Sequence, residues 1–417
     1  MDTIFGELEL QGVLYHFQFD EYILQIHKAG SDADALQAMV DALSPSAPKI
    51  MSKPTIGTCY PDGHKIYFMQ VSYKGFSNNV KKFSVGSYFE IDNNTNFPLP
   101  ISQVSIVANE LNYIYPPTQM YSYQIDAQGI ITAMNFTRPK PSFEWKFSLE
   151  GVEVTVSSGF THSYKWNSKP VEIQSMLHLS FKPTEKYEFV VRVFNIAQNL
   201  LQYLCYRQNI NCTNAYIYAQ NEEGKNIKIG IYDARWMSEQ LPETEKRSLK
   251  KKITFMLVEN GVSNLLQRLA DNTLYSRHIP DNSKDERRIT PARSIMLTAA
   301  FEWEYKQVYL NGKKPTDSFK ERLVKALNDY SDCIGLFAQR TYSMNNRTYD
   351  IDSAAEKIKI ARNDFAHGDI KIDYDLETLM GISILPYLVY AMQLRAAGVD
   401  TDSIKHAINE LFALHMI

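Results

Sequence analysis

The sequence predicts an α+β multidomain protein, with a β-rich, sandwich-like N-terminal region followed by an all-α helical bundle at the C-terminal end. Up to about residue 183, short aromatic and β-branched runs alternate with turn signals, a pattern typical of β-sandwiches. After residue 290, apolar residues recur with helical periodicity and the connections are short, which is typical of a bundle. We therefore predict three consecutive segments, 1–183, 184–285 and 286–417.

The N-terminal strands are predicted from local patterns. Residues 65–73 are rich in aromatic and β-branched side chains and follow an Asp62-Gly63 turn, which indicates a strand after a tight turn. Residues 152–156 and 171–181 alternate apolar with polar side chains, as half-buried strands do. Residues 31–43 are an exception, because their Ala and Leu content favours a short helix or an extended loop.

The middle segment mixes both element types. Residues 187–206 repeat apolar side chains every 3.6 residues, which predicts an amphipathic helix. Residues 215–218 and 227–232 indicate a hairpin, and residues 258–269 indicate a further short helix. The polar stretch 279–288 contains proline and is the best candidate for a linker before the bundle.

Five helices are predicted in the C-terminal segment. The first begins at Pro291 after Thr290, a good N-cap and N1 pair, and ends at Asn311-Gly312. The others cover residues 317–342 (with Gly335 as a possible break), 353–367, 375–395 and 402–417. The uncharged run 378–394 is 17 residues long, and a spanning helix needs about 20 apolar residues. We therefore interpret this run as a buried helix kinked at Pro386 and expect no membrane association.

Composition and charge exclude several classes of protein. With 44% hydrophobic and 22% charged residues, the chain is neither fully disordered, nor collagenous, nor a coiled coil. The net charge of −3 offers no global attraction for nucleic acid, so any such contact must come from a local patch. The four cysteines form no C-x-x-C pair, and the N-terminus lacks the pattern of a signal peptide. We expect a reduced, cytoplasmic protein.

Familiar catalytic motifs are missing from the sequence. There is no P-loop pattern, no G-x-G-x-x-G and no G-x-S-x-G, and the histidines of the N-terminal and middle segments show no metal-ligand spacing. The sequence therefore predicts no metal site and no cofactor.

One sharp motif lies at the end of the third bundle helix, where residues 361–368 read ARNDFAHG. Arg362 and His367 are five residues apart, a separation of about 140° around an unbroken helix. Gly368 is well placed to end the helix, which would put His367 in a last turn that favours protonated imidazole. A fixed cation near a titratable group suits acid–base chemistry on a phosphate. On spacing alone, however, a structural salt bridge of Arg362 and a helix cap by His367 are favoured.

The context of this motif changes that weighting. A bundle whose penultimate long helix carries Arg362, a polar Asn363 and then His367 resembles the HEPN superfamily, whose domains mostly act as metal-independent endoribonucleases. A β-rich region before the bundle looks most like the Apea-type HEPN proteins of prokaryotic anti-phage defence, and the opening residues 4–24 are also similar. The motif resemblance covers residues 362–367, and the architectural resemblance covers about 290–417.

The resemblance implies a mechanism and a set of partners. His367 would be a general base or acid, and Arg362 would hold the charge that develops on the phosphate while the 2′-OH attacks it. HEPN domains usually dimerise, so a homodimer through the C-terminal bundle would place two motifs around one scissile phosphate. The implied substrate is RNA, with tRNA as one candidate. The N-terminal region would respond to a phage-derived or cellular trigger.

Supporting roles are predicted for further residues. Asn363 is either a hydrogen-bonding partner or solvent-exposed, and Asp364 either restrains Arg362 or points to solvent. A carboxylate that orients the arginine is common in HEPN-like sites. Of Glu302 and Glu304 only one can face inward, and the more apolar neighbourhood favours Glu302, although a solvated helix face is the alternative.

Basic residues of the middle segment and of the start of the C-terminal segment would follow an RNA backbone, with a solvated face as the alternative. They are Lys250, Lys251, Lys252, Arg287 and Arg288.

Two other classes of function stay open. The bundle could belong to a non-catalytic HEPN-type binding or dimerisation protein that acts as a sensor or scaffold. The 26 tyrosines, many of them in the β-rich region, would also suit a carbohydrate-binding module.

Overall fold

A computed structural model of the chain describes residues 3–10, 12–28, 55–77, 80–92, 100–117, 121–136, 143–163, 172–238, 248–282, 285, 288–367 and 374–416. The strands are β1 (Ile4–Leu10), β2 (Val13–Asp20), β3 (Ile23–Lys28), β4 (Thr55–Cys59), β5 (Lys65–Met69), β6 (Ser72–Ser77), β7 (Val80–Ser84), β8 (Ser87–Ile91), β9 (Ile101–Ala108), β10 (Tyr121–Ile125), β11 (Ile131–Phe136), β12 (Glu144–Leu149), β13 (Val152–Ser163), β14 (Glu172–Thr184), β15 (Cys212–Gln220) and β16 (Asn226–Ala234).

The helices are α1 (Leu111–Ile114), α2 (Tyr187–Cys205), α3 (Arg235–Ser238), α4 (Phe255–Val258), α5 (Val262–Ala270), α6 (Pro291–Leu310), α7 (Phe319–Asp329), α8 (Ser331–Ser343), α9 (Ile351–His367), α10 (Leu376–Ala396) and α11 (Thr401–Leu411). Strands dominate the N-terminal half and helices the C-terminal region, which confirms the α+β class. The helix or loop predicted at 31–43 lies outside the described residues.

The chain divides into two compact units, each assembled from separate stretches. Unit 1 comprises Met1–Val107, His178–Val190 and Asn211–Leu241. Unit 2 comprises Ala108–Leu177, Val191–Ile210 and Pro242–Ile417. The units interleave along the sequence, whereas the prediction was three consecutive segments. Pairing between residues far apart in the chain produces this difference, and local patterns do not report such pairing.

Unit 1 is built on strands whose hydrogen bonds form one series, in the order β9-β15-β16-β8-β5-β4-β1-β2-β3-β7-β6. The predicted sandwich of two sheets differs from this single series. Alternate side chains of β2 and β3 enter the core, as the period of two requires. Phe19 packs edge-on against Phe68 at 5.0 Å between ring centroids. Gly6 on β1 leaves room for Phe17, because a Cβ at Gly6 would lie 2.6 Å from that ring.

The helices of unit 2 are arranged around α10. Its buried residues lie on all sides of the helix, as in a central core helix, and the helix continues through Pro386. Asp375 caps its start by accepting a hydrogen bond from the Thr378 amide at 2.7 Å. Among the described residues, this is the one helix long and apolar enough to cross a membrane, and 72% of its apolar window is buried inside the protein. The prediction of a buried helix is confirmed.

The bundle packs against earlier parts of unit 2. Tyr390 stacks on Tyr203 of α2 at 4.6 Å between ring centroids and donates a hydrogen bond to the Tyr203 carbonyl at 2.7 Å. The Trp303 indole of α6 donates to the Thr273 carbonyl at 2.9 Å. The predicted boundary at 285/286 therefore falls within a compact unit.

The bundle helices mostly follow the prediction. Helix α6 has the Thr290 cap, whose hydroxyl accepts from the Arg293 amide at 3.2 Å, and it ends at left-handed Asn311. The predicted helix 317–342 is broken at Tyr330 instead of near Gly335. A long-range contact stabilises the break, because Arg395 lies over the Tyr330 ring at 4.6 Å and donates to the Asp329 carbonyl at 3.0 Å.

None of the four cysteines forms a disulfide, and all four are buried. Burial raises the pKa of the Cys59 and Cys205 thiols to about 12. Both are therefore protonated at neutral pH and lack the thiolate that cysteine chemistry requires.

Candidate functional site

The predicted motif lies on α9. The buried face of this helix is lined by Ala354, Ala355, Ile358 and Ala361, and Arg362 lies at the border of that face. The helix extends to His367 without loosening after Arg362, so the two backbone positions are separated by about 140° of rotation and about 7.5 Å of rise. The side chain of His367 and the predicted helix-ending Gly368 lie outside the described residues.

Three neighbours hold the guanidinium of Arg362. Its Nη2 lies 3.4 Å from Oε2 of Glu302, and its Nη1 donates to Oδ1 of Asn363 at 3.2 Å. The group also lies over the ring of Phe319, 5.6 Å from the centroid. The side chain is 36% exposed, and two of its five N–H donors serve the contacts with Glu302 and Asn363. The contacts position a cation at the surface and leave donors available for an anion.

Glu302 binds a second arginine with its other oxygen. Arg322, on the first turn of α7, donates from Nη2 to Oε1 of Glu302 at 3.0 Å. Arg322 is only 9% exposed and lies over the rings of Phe319 and Tyr305. The single carboxylate of Glu302 balances only one of the two guanidinium groups, so the three side chains together have a net charge of +1. Arg362 is the more exposed of the two arginines, so this charge lies on the solvent side.

Glu304 occupies a different environment from Glu302. It is fully buried and accepts hydrogen bonds from Arg268 at 2.5 Å, from Gln393 at 2.9 Å and from the Tyr275 amide at 3.0 Å. Positions two apart on a helix are separated by about 200° of rotation, so Glu302 and Glu304 lie on opposite faces of α6. Glu302, which the sequence favoured over Glu304 as the carboxylate that orients the arginine, is the glutamate beside Arg362, whereas Glu304 points into the core.

A second ionic cluster adjoins the arginine pair. Glu356 of α9 lies 3.0 Å from Nζ of Lys320 and 3.1 Å from Nζ of Lys359, and these ammonium groups lower the pKa of its carboxyl. Lys359 precedes Arg362 by one helical turn, and Lys320 lies on the same first turn of α7 as Arg322. Four cations and two carboxylates thus form one patch. They are Lys320, Arg322, Lys359 and Arg362 with Glu302 and Glu356.

The patch contains residues that the sequence analysis missed. Ser318 and Glu321 form a capping box at the start of α7, and this local signal is visible in the sequence. It fixes the start of the helix that was predicted from residue 317, so that Phe319, Lys320 and Arg322 lie on its first turn. Nothing local indicates which helix that turn contacts.

Of the other predicted site residues, Asp364 lies beside the site in the sequence, and the basic residues lie on other parts of the chain. Asp364 is half-buried at the position after Asn363. Lys250 is exposed, Lys251 is half-exposed, and Lys252 lies 3.3 Å from Glu410 of α11. Arg288 is exposed near Asp285, and Arg287 lies outside the described residues.

Among the described contacts, Lys252 pairs with Glu410 and Arg288 pairs with Asp285, and neither contact involves the Arg362 patch. Arg288 precedes α6, and Glu302 lies about 17 Å along that helix from its first residue. An RNA-binding groove that includes both Arg288 and the Arg362 patch would therefore have to extend along most of α6.

A third ionisable cluster lies in unit 1, at the turn after β4. His64 is 2.6 Å from Asp62 and 3.3 Å from Glu90, and desolvation raises the pKa of Glu90. The contact between His64 and Asp62 spans the Asp62-Gly63 turn. Within the described part of the chain, no group of three or more His, Cys, Asp and Glu side chains is placed to hold a metal ion.

We compared the chain with models of protein families, with curated proteins and with solved structures, and none of them matches it.

Proposed function

We propose that this protein is a metal-independent endoribonuclease of a prokaryotic defence or toxin type, with Arg362 and His367 as its catalytic residues. The observation that carries the proposal is the position of Arg362. Glu302, Asn363 and Phe319 hold its guanidinium at a half-exposed site with surplus positive charge, on the same helix as His367. A fixed guanidinium with free donors suits a phosphate.

The chemistry requires no metal, because RNA contains its own nucleophile. A general base removes the proton of the 2′-OH, the 2′-oxygen bonds to phosphorus, and the bond from phosphorus to the 5′-oxygen breaks as an acid protonates that oxygen. The products are a 2′,3′-cyclic phosphate and a 5′-OH. In this scheme His367 transfers the proton and Arg362 stabilises the extra charge on the phosphate oxygens.

One copy of the motif supplies one histidine, while the reaction uses both a base and an acid. We propose a homodimer through the C-terminal bundle, in which a two-fold axis places two motifs around one phosphate. This arrangement also suits the 140° separation on α9, because His367 of one copy would act with Arg362 of the other.

The remaining parts of the proposal concern substrate and control. RNA is the substrate, and tRNA is one candidate. The N-terminal β-rich region would restrain the nuclease until a phage-derived or cellular trigger binds it. Its own hydrophobic core supports a separate role for unit 1.

A second candidate function is a non-catalytic sensor or scaffold of the same type. The observation that favours it is the unbroken helix to His367, which separates Arg362 from His367 within one chain. The arginine patch would then only bind phosphate groups.

The test is incubation of the purified full chain with total RNA in EDTA, followed by mapping of the cut ends. The proposal expects cleavage in EDTA with 2′,3′-cyclic phosphate and 5′-OH ends. Ends with a 5′-phosphate would contradict the mechanism, and retarded but intact RNA in a gel would favour the binding protein.

A further inference from the structure

A cavity of about 490 Å³ lies in unit 2, lined by residues of α6, α8 and α10 and by the segment after α11. Its volume is within the range of small-molecule sites. Leu297, Phe337, Pro386 and Phe412 supply apolar walls. None of the residues of the arginine patch lines it, so it is a separate site.

The serine and threonine hydroxyl groups in the lining donate their protons to nearby backbone carbonyls. Ser294 donates to the Thr290 carbonyl at 2.9 Å, and Thr341 donates to the Phe337 carbonyl at 2.9 Å. Ser383 likewise donates to the carbonyl of Met380 at 2.7 Å. These walls therefore behave as apolar surface toward a ligand, which suits an aliphatic body better than a nucleobase that needs several directed donors.

The charges in the lining are all positive. They belong to Arg293 and Arg340, and no Asp or Glu is part of the lining. Arg293 donates to neutral groups, the Asp285 carbonyl and the Tyr206 hydroxyl. Arg340 is exposed, and its guanidinium has no ion-pair partner among the described residues. Two guanidinium groups beside apolar walls, without a carboxylate to balance them, favour an anion.

We propose that this cavity binds an amphipathic monoanion, a medium-chain aliphatic carboxylate. The chain lies along Leu297, Phe337 and Pro386, and the carboxylate forms a charge-assisted pair with Arg340 at the mouth. A planar guanidinium matches the two oxygens of a carboxylate in one plane. The inference does not depend on the proposed nuclease function, and binding is its readout.

The test is isothermal titration of the full chain with octanoate, with 1-octanol as the neutral analogue, and with octyl phosphate and AMP as alternative anions. Octanoate should bind at one site, and Arg340→Gln should weaken its binding about tenfold while the binding of 1-octanol stays unchanged. Thr341→Trp, which fills the cavity, should abolish the binding of both. Arg277→Gln removes an exposed arginine outside the lining and should change neither.

A bulky residue at Thr341 could disturb the fold, so Met344→Trp provides a second variant. Met344 lines the cavity and is 73% exposed, so its replacement narrows the mouth without a change in the core. It should weaken octanoate binding while circular dichroism and the melting temperature stay as in the parent.

Several results would overturn the proposal. One is a lack of saturable octanoate binding up to about 1 mM. Another is octanoate binding that Arg340→Gln and Met344→Trp both leave unchanged. A third is tighter binding of AMP or octyl phosphate than of octanoate.

Discussion

The carboxylate of Glu302 lies 3.4 Å from the guanidinium of Arg362 and holds Arg322 with its other oxygen at 3.0 Å. Glu302 therefore links α6 to the start of α7 and to the motif helix α9. Because Arg322 is nearly buried, it keeps the carboxylate in place, and the carboxylate in turn orients Arg362.

Glu302 is thus predicted to be a positioning residue. Glu302→Gln should lower kcat for RNA cleavage about tenfold with little change in KM, because the arginine loses its orientation while RNA still binds the patch. Glu302→Asp should recover part of the loss. Steady-state kinetics of these variants, with Glu410→Gln as a carboxylate control elsewhere in unit 2, checks the prediction. A normal kcat in Glu302→Gln would reduce this contact to a structural ion pair.

Arg362 is predicted to require its planar guanidinium. Arg362→Lys should lose about 10²-fold in the rate of a single turnover, because a point charge cannot bridge two phosphate oxygens. Arg347→Lys is the matched control, since Arg347 pairs with Glu377 at 3.7 Å in the same unit. If Arg362→Lys cleaves RNA at the parental rate, charge alone explains the role of this residue.

Glu304 is predicted to matter for stability. Removal of this fully buried carboxylate would leave Arg268 and the amide of Tyr275 without their partner. Glu304→Ala should therefore lower the free energy of unfolding by about 3–5 kcal/mol. Glu410→Ala, which removes a more exposed pair with Lys252, should cost at most about 1 kcal/mol. Urea unfolding of both variants measures the difference, and equal losses would contradict the account of Glu304 as a buried structural group.

Asp375 is predicted to contribute to the acid sensitivity of the fold. The hydrogen bond from Lys357 lowers the pKa of this carboxyl from 3.8 to about 2. Because the folded pKa is the lower one, the stabilisation is present above about pH 4 and disappears as the pH falls toward about 2. In urea unfolding, Asp375→Asn should be less stable than the parent at pH 7 and nearly equal to it near pH 2. Parallel stability curves over this range would rule out the linkage.

The sequence predicts features that depend on neighbouring residues. The limits of α6 follow from the cap at Thr290, from Pro291 and from the left-handed Asn311, all of which act within one turn. The break in the helix predicted over 317–342 was expected near Gly335, but it lies at Tyr330. Its position depends on Arg395, which is 65 positions away in the chain. The strand order of unit 1 depends in the same way on pairing between distant segments.

The same distinction applies to the site. The motif from Arg362 to His367 is local and visible in the sequence. The opposite orientations of Glu302 and Glu304 follow from helix geometry, but which face is buried depends on Arg268 and Gln393, which lie on other elements. Arg322 was missed because its link to Arg362 passes through a carboxylate on a third helix.

The central claim is that His367 and Arg362 catalyse RNA cleavage, and the most direct measurement is the cleavage rate of His367→Ala in EDTA. The variant should fold as the parent does, because a residue at a helix terminus contributes only about 1 kcal/mol. We predict no cleavage above background by His367→Ala, with circular dichroism and RNA retention in gels unchanged. Cleavage by His367→Ala at the parental rate, or a parent protein that EDTA inactivates, would contradict the account.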